Sequence, residues 1–287
     1  RTIRVGSGGV LLPYYSPLKV AEVFRMLHTL FPGRIDLGVG RAAGTGPAAE
    51  AALLASGGAS GDRYFANHLA DLVAFVGGVF PGDDHPYAGV RAMPDGPGGP
   101  AVWLLGSSGQ SSAAAAAFGL AFAFAHFITP DFGPQIVEGY RRRFRAGDPA
   151  GYGVGTPPGN GAPVLAAPRA LVAVAVMCAD TDAEAQRQAS TTDLWRLGPE
   201  GGQRPPIVSP QTIEVHPWTE RDRARVARIR ARTVVGTPES VRARLHALAD
   251  EYGTDELMIV TVCHDPHARL RSYELLAEAF DLPASTG

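Results

Sequence analysis

Arg41 follows the short apolar run Ile35-Asp36-Leu37-Gly38-Val39-Gly40, which a Pro32-Gly33 stop precedes. A guanidinium lifted off a strand end by a glycine turn suits an anion, because its fork matches two phosphate oxygens. Upstream, Gly6-Ser7-Gly8-Gly9-Val10-Leu11-Leu12-Pro13 leaves another strand in the same way. Downstream, Trp103-Leu104-Leu105-Gly106-Ser107-Ser108-Gly109-Gln110-Ser111 runs from a strand into a glycine/serine turn and opens an alanine-rich helix. Free amides at a helix start, with the positive end of its dipole, bind phosphate. Ser108 and Ser111 can add hydroxyl donors. Three strand ends therefore direct small residues, hydroxyls and one guanidinium at what can be a single place, as a phosphate-bearing cofactor requires. The plainer readings are an ordinary N-cap serine and an arginine paired with a loop acid.

His126 ends the apolar segment 120–125. It can face a cofactor ring or donate a proton near neutral pH, or it can be a hydrogen-bonded histidine at a rim. His264 and His267 flank Asp265-Pro266, but a helix start separates them, so no metal site is expected. The stretch 220–232 carries Arg221, Arg223, Arg225, Arg228, Arg230 and Arg232, which reads as a solvated face or, in the other reading, a lid or partner contact. Gly38-Val39-Gly40-Arg41-Ala42-Ala43 also matches a dinucleotide fingerprint. Gly44-Thr45-Gly46-Pro47 would break the helix that such a motif needs, and Asp62 precedes a helix where the motif wants a strand end, which argues against that fold.

Elements of a particular kind must hold these residues. Strand-length apolar runs lie at 2–5, 35–39, 101–105, 120–125, 170–178 and 256–262. Most are continuously apolar, as parallel strands covered on both faces are. Helical patterns alternate with them. One starts at Ser16-Pro17 and stops at Pro32-Gly33, and another covers 62–76. Thr181-Asp182-Ala183-Glu184 reads as a capping box. A further helix runs from Thr237-Pro238 to Gly253, and the last starts at Asp265-Pro266. This alternation predicts a parallel α/β sheet. Six strands fall short of the eight of a closed (β/α)₈ barrel, so either the sheet is open or the barrel lacks its first two β/α units in this chain, and the latter is the expectation. The whole of 1–287 reads as one domain. Irregular insertions rich in glycine and proline lie at 147–168 and 197–219, the latter a candidate lid.

Composition narrows the class. A chain of 287 residues with 45% hydrophobic and 19% charged residues can bury a large core. A net charge of −2 gives no electrostatic case for nucleic acid or an anionic membrane. Cys178 and Cys263 read as small reduced residues. No apolar run reaches membrane-spanning length, and the chain opens directly into a strand with no secretory pattern, so a cytoplasmic protein is expected.

Taken in order, Gly6 to Pro13, Ser16-Pro17 with Val20-Ala21-Glu22, Pro32 to Arg41, Trp103 to Ser108, Val235-Gly236-Thr237-Pro238-Glu239 and Asp255-Glu256-Leu257-Met258-Ile259 resemble the bacterial-luciferase-like flavin monooxygenases. The group with a Leu-Leu-Gly-Ser-Ser turn, some of whose members act in polyketide biosynthesis, is the nearest type. The resemblance runs over nearly the whole chain, and is weakest at 147–168 and 197–232. It implies a (β/α)₈ barrel that uses reduced FMN and O₂ to oxygenate a small organic substrate, with a flavin reductase supplying the FMN. It places Ser7, Gly8, Gly9, Arg41, Gly106, Ser107, Ser108 and Ser111 at the flavin, and leaves His126 as the candidate catalytic residue. It also implies a cis peptide at Gly8-Gly9. F420-dependent hydride transfer and a non-catalytic partner subunit are the alternatives that the same family contains. Exposed strand edges at 2–5 and 256–262 make a homodimer the expected state.

Overall fold

The computed structural model describes residues 3–41, 47–54, 64–78, 85–96, 98–146, 164–198 and 206–283. Two compact units divide it. The first comprises Arg1–Phe124 and Gln135–Ala170, and the second Ala125–Pro134 and Leu171–Gly287.

The first unit opens with two short strands, β1 (Val5–Gly6) and β2 (Val10–Leu11), then α1 (Pro17–Leu30) and β3 (Ile35–Gly40). Helices α2 (Pro47–Leu54) and α3 (Phe65–Gly77) precede β4 (Ala101–Gly106), α4 (Gly109–Ala117), β5 (Ala121–Ala125) and α5 (Gly133–Arg143). All strand pairings are parallel. Both β1 and β2 lie against β3, with Val5 opposite Ile35 and Val10 opposite Val39. β4 takes the other edge of β3 and β5 follows β4. The order runs with the sequence and does not reverse beside Gly38–Gly40, so the dinucleotide-fold alternative has no switch point here.

The strand expected at 2–5 is observed as β1, Val5–Gly6, and β2 lies further along the same β3 edge, with Ser7-Gly8-Gly9 bridging the gap. Ser7 supplies the bridge: its Oγ donates to the Gly38 carbonyl at 2.8 Å and accepts from the Gly38 amide at 3.0 Å. Asp36 ties three neighbouring strands, accepting from Arg4 Nε at 2.9 Å and from Trp103 Nε1 at 3.1 Å. Beneath them Arg25 is buried, its guanidinium donating to the carbonyls of Pro94, Val76 and Gly96. Three carbonyls replace the lost hydration of that charge.

The second unit holds most of β6 (Ala170–Cys178), then α6 (Asp182–Ser190), α7 (Asp193–Leu197), α8 (Pro210–Glu214), α9 (Glu220–Arg230), β7 (Thr233–Gly236), α10 (Pro238–Tyr252), β8 (Leu257–Val260) and α11 (Pro266–Ala279). β7 runs against Ala175–Cys178 and β8 against Val172–Ala175, both parallel. β7 escapes the sequence reading because its four residues directly follow an arginine-rich helix and make no continuous apolar run. Thr181 caps α6 through the Glu184 amide, but the Glu184 carboxylate turns to Arg187 and Gln188, so only half of the expected capping box forms. Pro238 opens α10 and Gly253 closes it in the left-handed conformation, as expected from their types.

The insertion 147–168 lies outside the described residues except for its last five, 164–168. Within 197–219, residues 199–205 lie outside them, and the remainder is not the structureless loop that its composition suggests. Ser209 caps α8 by accepting from the Thr212 amide, Pro210 and Ile213 are buried, and Trp218 Nε1 donates to the Ile213 carbonyl at 3.2 Å. Among the described residues no helix is long and apolar enough to cross a membrane.

Candidate functional site

β3 and β4 are adjacent, so their following turns are adjacent too. Arg41, one residue past β3, donates from Nη1 to Gln110 Oε1 at 2.8 Å. The guanidinium that the sequence set over the strand end thus reaches the second residue of α4. The turn it meets is tightly built. Ser108 is the N-cap of α4, its Oγ accepting from the Ser111 amide at 3.3 Å. Ser111 Oγ accepts in return from the Ser108 amide and donates to the Ser108 carbonyl. A side chain at Gly106 would collide with Ser111 Oγ, which is why glycine ends β4.

Three hydroxyls expected to face a ligand therefore have backbone partners: Ser108 and Ser111 hold the helix start, and Ser7 holds β3. Ser107 differs. It is half-buried and its hydroxyl has no protein partner among the described residues. The first-turn amides of Gly109 and Gln110 have no intrahelical acceptor, as at any helix start. Space is open above Gly109 and above Gly8, where an added Cβ would meet nothing within 4 Å. One guanidinium, one available hydroxyl, two outward amides and a turn with no side chain in the way fit a phosphate group.

Gly8–Gly9 is not a cis bond. The cis peptide among the described residues is Met93–Pro94. Glycine at position 9 answers a different need. A Cβ there would stand 2.8 Å from the Gly38 carbonyl oxygen, so the chain can cross β3 this closely only without one.

His126 belongs to the second unit and has its partners there. It follows β5 directly and is 8% exposed. Its Nδ1 lies 2.8 Å from Tyr252 Oη at the end of α10, with the rings edge to face. Burial, and then the nearby Arg244, lower its pKa from the ordinary histidine value. Burial likewise raises the pKa of Tyr252, so the phenol stays protonated. The pair is 126 positions apart. No local pattern in the sequence announces it, and Tyr252 reads there only as one residue of an apolar helix face. Cys178 is buried, which pushes its thiol up to about 11, and Cys263 donates from Sγ to the Asp265 carbonyl. His264 and His267 use their amides on Thr191 Oγ1 and Asp265 Oδ1. Among the described residues no three histidine, cysteine, aspartate or glutamate side chains gather as a metal would need.

The chain is similar to known proteins over most of its length. The model of a family described as luciferase-like monooxygenase matches residues 1–256. An uncharacterized Bacillus subtilis protein, YwcH, is 41% identical over 281 residues, covering 98% of this chain and 79% of its own length. The N-acetyl-S-alkylcysteine monooxygenase of Bacillus subtilis is 33% identical over 279 residues, 97% of this chain and 78% of that protein. The crystal structure of apo-MsnO8 superposes with a TM-score of 0.78 at 41% identity, covering 99% of this chain and 78% of the other. At fold level only, the chain also resembles the oxygenating constituent of 3,6-diketocamphane monooxygenase from Pseudomonas putida in complex with FMN, with a TM-score of 0.55 at 19% identity and coverage of 97% and 79%. An F420-dependent secondary alcohol dehydrogenase gives 0.57 at 11%, with coverage of 97% and 80%.

Proposed function

Since the chain belongs to the luciferase-like monooxygenases, oxidoreductases built on a parallel (β/α)₈ barrel, we propose that it oxygenates a small organic substrate with reduced FMN and O₂. The observation that carries this reading is the Arg41–Gln110 contact, which brings the arginine after β3 to the start of α4. Arg41, the Ser107 hydroxyl and the amides of Gly109 and Gln110 hold the FMN phosphate. Ser108 and Ser111 act one step back, keeping that helix start in shape. Gly8 leaves room for the flavin ring beside β3, and Gly9 lets the chain cross β3 closely enough to put it there. The bound flavin supplies the two electrons with which O₂ is activated. The chain's own part is to bind, to orient and to keep water out.

A flavin reductase supplies the reduced FMN, and a homodimer is the working assembly. His126 serves as a positioning residue for the second unit in this reading, since its Nδ1 faces the Tyr252 hydroxyl. The Bacillus subtilis relative named for N-acetyl-S-alkylcysteine makes thioethers the first substrate class to assay. F420-dependent hydride transfer is the alternative on the same fold.

Titration with FMN tests the reading. Arg41→Ala removes one charge-assisted phosphate contact and weakens FMN binding by about 1.5–3 kcal/mol, roughly ten- to hundredfold. Riboflavin, which lacks the phosphate, then binds wild type and variant alike. Unchanged FMN affinity in Arg41→Ala would put the phosphate elsewhere. Turnover with reduced F420 and no O₂ uptake would select the alternative.

A further inference from the structure

A second cationic cleft lies in the other unit and shares no residue with the proposed flavin site. It has a volume of about 230 Å³ and is lined by His126, by Ala231 to Val235 at the start of β7, and by Ser240, Arg244 and Leu248 along one face of α10. Two guanidiniums enter it. Arg232 uses Nη1 on the Ile128 carbonyl at 2.6 Å, and Arg244 uses Nη1 on Glu251 Oε1 at 2.7 Å. Among the described residues no protein acceptor falls on the Nε or Nη2 of either. Ser240 contributes little, because its hydroxyl donates to the Thr237 carbonyl.

His126 makes this more than a charged surface. It is more than nine-tenths buried, its Nδ1 is engaged by Tyr252, and its Nε2 has no protein partner although the ring lines the cleft. In the tautomer in which the Tyr252 hydroxyl donates to Nδ1, and equally in the protonated ring, Nε2 carries a proton and presents an N–H donor to the cleft. Nε2 opens on the cleft, where a ligand oxygen can accept from it. The charges facing the space are Arg232 and Arg244, with Glu251 offsetting part of the latter. Donors and positive charge dominate.

We propose that this cleft binds a phosphate group, with the Arg232 and Arg244 guanidiniums and His126 Nε2–H donating to its oxygens. The tetrahedral oxyanion, rather than a carboxylate, matches donors that come from three separate elements. The volume leaves room beyond the phosphate for a small organic body, so a phosphate monoester is the ligand class. The inference goes beyond the oxygenase reading and does not depend on it.

The test uses the whole chain with ring-¹⁵N-labelled histidine. Adding inorganic phosphate should move the His126 ring resonances saturably, and glycerol 3-phosphate should do so at equal or lower concentration. Tighter binding of the monoester assigns the cleft to an organic phosphate, and equal binding assigns it to the free ion. Arg232→Gln and Arg244→Gln should each weaken phosphate binding about tenfold, Arg244→Lys less. Arg41→Ala, outside the cleft, should leave the response intact. The proposal is overturned if the wild-type resonances do not respond to phosphate, or if acetate at matched ionic strength moves them equally. It is also overturned if folded Arg232→Gln and Arg244→Gln variants titrate as wild type.

Discussion

Arg41 Nη1 and Gln110 Oε1 lie 2.8 Å apart across 69 positions of sequence. The contact exists because β3 and β4 are parallel neighbours in register, Val39 opposite Leu104, so both chains leave the sheet at the same level. Gln110 therefore acts on a ligand phosphate by aiming Arg41. A single exposed hydrogen bond contributes about 0.5–1.5 kcal/mol, so Gln110→Ala should weaken FMN binding roughly two- to tenfold. In an Arg41→Ala background the same change should add nothing. Additive losses in the four-way comparison of titrations would instead give Gln110 its own contact with the ligand.

The order of strands and helices is legible in the sequence because continuous apolar runs and Pro/Gly punctuation are local signals. Pro17, Pro238, Asp265-Pro266 and Gly253 fall at helix ends for reasons of backbone geometry that neighbours cannot override. Two of the short strands, β2 and β7, are not legible. β2 is two residues beyond a glycine pair, and β7 owes its extended form to pairing with β6 and not to its own composition. The proposed flavin-site residues are legible as types, but their hydrogen-bond partners are not. Whether Ser108 faces a ligand or the Ser111 amide depends on a rotamer. The His126–Tyr252 pair depends on how α10 packs, which no spacing encodes.

Gly38 should tolerate no side chain. A Cβ at this position would collide with the Ser7 carbonyl oxygen and stand 2.9 Å from Leu105 Cδ1. Backbone on one side and a packed leucine on the other leave little room to yield. Gly38→Ala should destabilise the fold by about 1–3 kcal/mol, as overpacking in a filled core does. Gly109→Ala, where a Cβ meets open space, should leave the melting temperature nearly unchanged. Thermal unfolding of the two variants side by side checks this. Equal melting temperatures would mean that β1–β2 moves off β3 without loss.

Stability should fall below neutral pH through buried histidine. Burial lowers the folded-state pKa of both His126 and His28. The unfolded chain then takes up protons near the ordinary value of about 6.5, while the folded chain resists them. More protons are bound unfolded than folded in that window, so stability rises with pH there and levels off above it. On acidification it is lost from about pH 6.5 downward, at up to ~1.4 kcal/mol per pH unit for each fully excluded proton. His126→Gln should flatten this slope by its own share. Denaturant titrations at several pH values between 5 and 8 measure it. An unchanged slope in the variant would place the pH dependence elsewhere.

The arginine-rich helix α9 should prove uneven along its length. Arg223 and Arg228 are exposed, whereas Arg230 grips Asp193 with both Nε and Nη2, the shortest bond being 2.6 Å. Asp193 is 4% exposed, and Arg230 Nη1 also reaches Gln186 Oε1 at 2.8 Å. This joins α9 to α7 through a largely buried pair, so the solvated-face reading of the helix holds for only part of its arginines. Removing one member strands the other charge without water, at a cost of about 3–5 kcal/mol for a fully buried pair. Arg230 keeps part of its side chain in solvent, so Asp193→Ala should cost toward the lower end of that range. Arg228→Ala should stay within about 0.5 kcal/mol of wild type, as exposed substitutions do. Urea unfolding midpoints of the two variants give the comparison directly. Similar midpoints would mean that the Asp193–Arg230 pair contributes no more than a surface contact.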